Sequence, residues 1–186
     1  DAFAVAGDRP SKIAGRSLPR GTRFKDCAVD YLSDDRLTEH YIAQGVDGLF
    51  PLGTTGELPT LDEDEIDEVV ERTVAKVAGR VPVFVGVGGN ATHKVENALR
   101  RLERFAVEGI VSVCPYYNRP GQDGLIAHFR QIAAATDRDV PIYIIPYRTA
   151  VNLSHDPLLE LARVPTIVGV KDSSGLPAHS QELLQG

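Results

Sequence analysis

The chain has 186 residues, 42% of them hydrophobic and 25% charged, which suits one soluble globular domain with a substantial core. A net charge of −6 opposes nucleic acid or an anionic membrane surface as partner, since both call for basic patches. No apolar run approaches the roughly 20 residues that cross a bilayer, and Cys27 and Cys114 are too few for a disulfide framework or a thiolate metal site. The histidines, His40, His93, His128, His155 and His179, are scattered and form no ligand pair. A cytoplasmic protein that needs no metal is the expectation. The first residue is Asp1, not methionine, so the N-terminus is processed or the sequence is a piece of something longer.

Residues 1–35 form a poorly defined N-terminal segment. They lack the apolar core of a signal peptide. A doubtful first strand lies near Ser17–Phe24, where LPRGTRF sets two arginines and a proline in what should be a continuous apolar run. Residues 36–186 read as the catalytic domain, opening with a helical stretch over 36–44. Strands are then expected at Gly48–Leu52, Val81–Val87, Gly109–Val113, Pro141–Ile145 and Thr166–Val170, all dense apolar runs of the kind buried on both faces of a parallel sheet. Helices are expected near 62–78, 91–106, 122–136 and 155–163. The first of these carries a stripe of Leu61, Ile66, Val69, Val70, Val74 and Val77, and Thr60 with Glu63 fits a capping box at its start. Asp62–Glu65 reads as capping of the helix dipole and not as a metal site, because the carboxylates fan around one turn. Ser154 is placed to cap the 155–163 helix. Such βα units, spaced by roughly 25–30 residues, give a parallel sheet, either open or closed into a barrel.

Polar groups gather at the strand ends. Gly53-Thr54-Thr55-Gly56-Glu57 offers backbone N–H groups and two hydroxyls to a small anion, or is simply a turn. Gly86-Val-Gly-Gly-Asn-Ala91 matches a dinucleotide pattern weakly, since Glu108 precedes the next strand where an acid should end it. Cys114-Pro-Tyr-Tyr-Asn-Arg-Pro120 sets paired tyrosines at a third strand end, where rim packing is the simpler reading. Tyr143, followed by Ile-Ile-Pro-Tyr-Arg148-Thr149, needs a hydrogen-bond partner if buried. A Thr–Tyr–Tyr chain would supply one and relay protons. Lys171 closes the run TIVGV at the carboxyl end of a strand, the place where α/β folds keep their chemistry. Partial desolvation there leaves some of the amine neutral and nucleophilic. The plainer alternative is a lysine reaching solvent or pairing with Asp172.

Together GTTGE, PYYNRP, YxxPxRT and GVKDSSG resemble the dihydrodipicolinate synthase / N-acetylneuraminate lyase family of class I pyruvate aldolases. The intervals agree: 63 positions from Thr54 to Tyr117, 26 to Tyr143 and 28 to Lys171. The resemblance covers about residues 36–175 and implies a (β/α)8 TIM barrel, here incomplete because strands seven and eight and the C-terminal helices are absent. A closed barrel typically takes about 250 residues, and one lacking two strands has open edges. By resemblance, Lys171 forms the imine with pyruvate and Tyr143 shuttles protons. Thr54 links Tyr143 to Tyr117, which reaches in from a neighbouring subunit and so implies a homodimer or homotetramer. Thr55 and the amides of the turn at Gly53 hold the pyruvate carboxylate. Arg148 favours members that condense pyruvate with L-aspartate 4-semialdehyde, on the route to lysine and diaminopimelate, over sialic-acid and sugar-acid lyases. No cofactor is implied beyond the covalent imine. Three positions depart from the family: Ile144 stands for Asn, Thr22-Arg23-Phe24 for Thr-Pro-aromatic, and Cys27 for a turn glycine. These departures, with the missing strands, also suit a truncated non-catalytic paralogue.

Overall fold

The computed structural model describes residues 17–178, residue 181 and, as backbone, residues 2–5; His179 lies outside them. It divides into two compact units, one of residues 1–11, 88–101 and 110–186, the other of residues 12–87 and 102–109. The first element, strand β1 (Ala2–Val5), belongs to the former.

In the second unit, β2 (Ser17–Pro19) runs parallel to β5 (Gly48–Phe50), with Leu18 opposite Leu49. Arg20 follows β2 directly, and its backbone N–H continues the ladder to Phe50 O at 2.9 Å. Its guanidinium is buried, but Asp34 meets it at 3.0 Å and the Thr73 hydroxyl accepts from it at 3.1 Å. A buried cation is tolerable only when paired in this way. Between them β3 (Phe24–Lys25) and β4 (Ala28–Val29) form a hairpin whose two turn residues, Asp26 and Cys27, have φ of 52° and 65°. Two positive φ values are what a two-residue type I′ turn demands.

Helix α1 (Tyr31–Ala43) starts five residues ahead of the stretch its pattern suggested. The reason is its cap: Asp30 accepts from the Ser33 N–H at 3.1 Å and the Ser33 hydroxyl at 2.7 Å. Helix α2 (Glu63–Val77) is capped by Asp62, whose N–H donates to Glu65 at 2.9 Å. The box therefore sits two residues beyond Thr60–Glu63, because Leu58–Thr60 is a separate 3-10 turn in which the Thr60 hydroxyl donates to Glu57 O. Val69, Val70, Thr73 and Val77 form the buried stripe of α2. β6 (Phe84–Val87), buried along its whole length, follows β5 through a parallel bridge from Leu49 to Val83.

In the first unit come α3 (Thr92–Leu102), β7 (Gly109–Val113), α4 (Gln122–Ala134), β8 (Pro141–Ile144), α5 (Pro146–Thr149), α6 (His155–Leu161) and β9 (Gly169–Asp172). Strand order here is β1-β9-β8-β7, with β7, β8 and β9 parallel and β1 antiparallel on the far edge of β9. The last strand overlaps the expected Thr166–Val170 but starts three residues later, after a turn in which the Ile167 N–H bonds back to Val164 O, and runs on to Asp172. Lys171 is accordingly inside β9 and not just past its end. Ser154 does precede α6, but its hydroxyl donates to Gln122 Oε1 at 2.7 Å and leaves the helix N–H groups to others.

Candidate active site

Parallel pairing sets Tyr143 of β8 directly opposite Lys171 of β9. Partners in a ladder project from the same face, so the ring and the amine are neighbours by register. The Lys171 side chain is fully buried (1% exposed), with Nζ 3.8 Å from the centre of the Tyr143 ring. Its ammonium donates to Ser173 Oγ at 3.0 Å, and Ser173 is itself fixed by its N–H to Ile144 O at 2.8 Å. Burial pulls the amine below the ordinary lysine pKa; Tyr143 opposes this most strongly, followed by Tyr147 and Asp172. Lys171 is thus no solvent-reaching strand-end lysine, and an Asp172 oxygen accepts from the Ser174 N–H at 2.7 Å.

Tyr117 occupies a strained turn of the same unit. Its φ is 74°, and the Asn118 N–H bonds back to Tyr116 O at 3.0 Å, the rare positive-φ form of the γ-turn. Arg119 is also at positive φ (48°). Two bonds hold the loop down: Asn118 Nδ2 to Asn90 O at 3.2 Å and Arg119 Nε to Ala150 O at 3.3 Å. The result is a tyrosine side chain 90% exposed on a fixed backbone. Arg148, on the single turn α5, is exposed and lies over the Tyr147 ring at 5.4 Å.

Gly53, Thr54 and Thr55 belong to the other unit. Thr54–Gly56 is a 3-10 turn opened by Gly53, with Gly56 N–H bonded to Gly53 O at 3.0 Å. Leu52, just before it, has φ of 60°, a value that a branched side chain adopts only under constraint. The constraint is visible on both sides. Thr22 Oγ1, buried, donates to Gly56 O at 2.7 Å, and Gly86 N–H donates to Pro51 O at 2.9 Å. Thr55 remains exposed, while Gly53 and Gly56 are buried.

Two anchoring residues escaped the sequence reading. Thr22 was seen only as part of an unusual first strand, and Ser173 only as part of GVKDSSG. A hydroxyl two residues past a strand-end lysine was the available signal for Ser173. The glycines of Gly86-Val-Gly-Gly-Asn-Ala91 have packing reasons: a Cβ on Gly86 would lie 2.0 Å from Leu52 O, and one on Gly88 2.3 Å from a Val113 methyl. Among the described residues, no group of three or more His, Cys, Asp or Glu is placed to hold a metal ion, and no helix is long and apolar enough to cross a membrane.

Residues 22–185 match the family model described as the dihydrodipicolinate synthetase family. The 4-hydroxy-tetrahydrodipicolinate synthase 2 of Clostridium acetobutylicum is 44% identical over 173 residues, which are 93% of this chain and 60% of that protein. The crystal structure of the Aquifex aeolicus dihydrodipicolinate synthase superposes with a TM-score of 0.88 at 37% identity, covering 92% of this chain and 59% of that one. The chloride-inhibited Acinetobacter baumannii enzyme, solved with pyruvate, gives 0.88 at 33% identity, covering 92% and 60%. The fold is thus that of a TIM barrel in part, and the chain spans about three-fifths of the length of these relatives.

Proposed function

The chain belongs to the dihydrodipicolinate synthetase family, and from that premise we propose that it is the pyruvate-binding part of a lyase that condenses pyruvate with L-aspartate 4-semialdehyde to 4-hydroxy-tetrahydrodipicolinate. One observation carries the reading: an amine buried at the carboxyl end of a parallel strand, its pKa lowered, with a tyrosine ring and a serine hydroxyl against it.

In this reaction the neutral Lys171 Nζ attacks the ketone carbon of pyruvate. Tyr143, its partner in register, carries the proton that the departing oxygen needs, and loss of water gives the imine. The protonated imine withdraws electrons, so the methyl group loses a proton and becomes the enamine nucleophile that attacks the aldehyde carbon of the second substrate. No metal or cofactor enters these steps. By the family resemblance, Thr55 and the N–H groups of the turn at Gly53 are assigned the pyruvate carboxylate, and Thr54 and Tyr117 are assigned to the proton relay with Tyr143. Tyr117 serves the site of a neighbouring subunit in a homodimer or homotetramer; its exposure on a rigid, strained turn supports this role. Arg148 binds the carboxylate of the aldehyde substrate, a task that suits a guanidinium fork. The cytoplasm is the proposed location, and sialic-acid or sugar-acid cleavage is the rival activity within the same chemistry.

The test is borohydride reduction in the presence of pyruvate, read by intact mass. One adduct of reduced pyruvate, lost in Lys171→Ala, is expected. A folded chain that gains no adduct overturns the reading. Cleavage of a sugar acid without condensation of aspartate semialdehyde would transfer it to the rival.

A further inference from the structure

Several arginines of this protein are committed to carboxylates: Arg72 meets Asp35 and Glu68, Arg80 meets Glu39, Arg104 meets Asp67 and Arg130 meets Glu160. Arg148 is not. Among the described residues no carboxylate pairs with its guanidinium, whose Cζ lies instead 5.4 Å from the centre of the Tyr147 ring. A guanidinium that gives its flat face to an aromatic ring keeps its N–H edge free. That edge is the part that grips a carboxylate in two parallel bonds.

The backbone beneath the pair has little freedom. α5 follows β8 directly, Pro146 fixes φ at its first position, and Arg148 and Thr149 both donate their N–H groups to Ile145 O at 3.0 Å. The buried Thr149 hydroxyl lies 3.0 Å from Val151 O, and the Ala150 N–H closes the turn on Pro146 O at 2.8 Å. Ala150 O in turn accepts from Arg119 Nε at 3.3 Å. What remains loose in Arg148 is its long side chain, whose rotamer freedom must be given up when a ligand is gripped. The Tyr147 ring removes part of that freedom beforehand. Its phenol also stands within electrostatic reach of the reactive amine, since it is among the groups that hold the proton on Lys171. One side chain therefore touches the guanidinium and addresses the amine, on the turn that follows the Tyr143 strand.

We propose, on the reading of the function given above, that Tyr147 is a positioning residue for the second substrate. Its ring holds the Arg148 guanidinium by the face, leaves the N–H edge to the carboxylate of the incoming aldehyde, and so favours aldehydes that carry one. Steady-state condensation by the full chain tests this, with pyruvate and aspartate semialdehyde varied in turn. Tyr147→Leu should raise the KM for aspartate semialdehyde about threefold to tenfold, the range of a ring–cation contact, with kcat and the KM for pyruvate changed less than about twofold. Tyr147→Phe keeps the ring and should hold the aldehyde KM within about twofold of the parent. In an Arg148→Gln background, Tyr147→Leu should add less than about twofold, because a residue that acts through another has nothing left to position. An unchanged aldehyde KM in Tyr147→Leu, equal losses in Tyr147→Leu and Tyr147→Phe, or full additivity with Arg148→Gln overturns the proposal. Borohydride trapping of pyruvate is the control of folding. If Tyr147→Leu traps none, Tyr147→Met replaces it; failure of both overturns the proposal, since the ring then serves the amine. A parent chain that condenses no aspartate semialdehyde strikes the function itself, and the role of Tyr147 with it, before any variant is compared.

Discussion

At Lys171 two opposed effects set how much amine is neutral at a given pH. Burial lowers its pKa, while Tyr143 holds the proton on. Imine trapping should therefore rise with pH about a midpoint below the ordinary lysine value of 10.5. Tyr143→Phe removes the opposing pull, so the midpoint moves further down while the rate at its plateau falls by about 100-fold or more, the usual worth of a positioned proton carrier. Ser173→Ala should lower the midpoint too, with a loss of about tenfold that reflects one charge-assisted hydrogen bond; Ser173→Thr should restore it. A pH–rate profile of borohydride trapping checks all three variants. His128 is a second residue with a definite sign. Burial lowers its pKa to about 4, with Nδ1 against the Thr92 hydroxyl at 2.8 Å. Between the unfolded value of about 6.5 and about 4, only the unfolded chain takes up the proton. Stability is therefore intact above about pH 6.5 and falls by up to about 1.4 kcal/mol per pH unit on acidification through that window. Urea unfolding at pH 7 and pH 5 should show the loss, and His128→Gln should flatten it.

Among the elements, the β3–β4 hairpin carries the clearest local strain. Its turn holds Cys27 at φ 65°, a left-handed conformation that costs a residue with a Cβ about 1–2 kcal/mol. Cys27→Gly removes that cost and adds some entropy to the unfolded chain, so a net gain of about 0.5–1 kcal/mol is expected in chemical unfolding. The β2–β5 pair shows another case, in which a buried charge is met by an opposite one. Arg20 is buried, yet Asp34 and Thr73 meet its guanidinium, and Asp34 also accepts from the Arg23 N–H at 2.9 Å. These contacts tie the segment after β2 to α1 and α2. Thr22, between the two arginines, fixes the turn that follows β5.

For the whole molecule, the proposed relay through Tyr117 makes activity a property of the assembly. Tyr117→Phe keeps the shape of an exposed ring, so unfolding should stay within about 0.5 kcal/mol of the parent while turnover falls. Complementation tests the sharing directly. Mixing Tyr117→Phe chains with Lys171→Ala chains should restore activity, to about a quarter of the parent level for random dimers, because a mixed dimer holds one site with both residues intact. No recovery after verified subunit exchange would place Tyr117 in the site of its own chain.

The succession of βα units, the buried strands, the helices between them and the motifs at strand ends were all readable from the order of residues, because dense apolar runs and helical stripes are local properties. So was the family, since four motifs at fixed intervals leave little room for chance. Boundaries were less readable. The Thr60–Glu63 box gave way to Asp62–Glu65 because an intervening turn shifted the helix, and the Lys171 strand starts at Gly169, after the turn in which Ile167 bonds back to Val164. Three features rest on partners distant in sequence and so belonged to the tertiary structure alone. Arg20 is paired with Asp34 and Thr73, Tyr143 and Lys171 are brought together by register, and β1 pairs antiparallel with β9. Each depends on which strand or helix lies alongside, and a strand's neighbours are chosen by packing and backbone hydrogen bonds that no local pattern encodes.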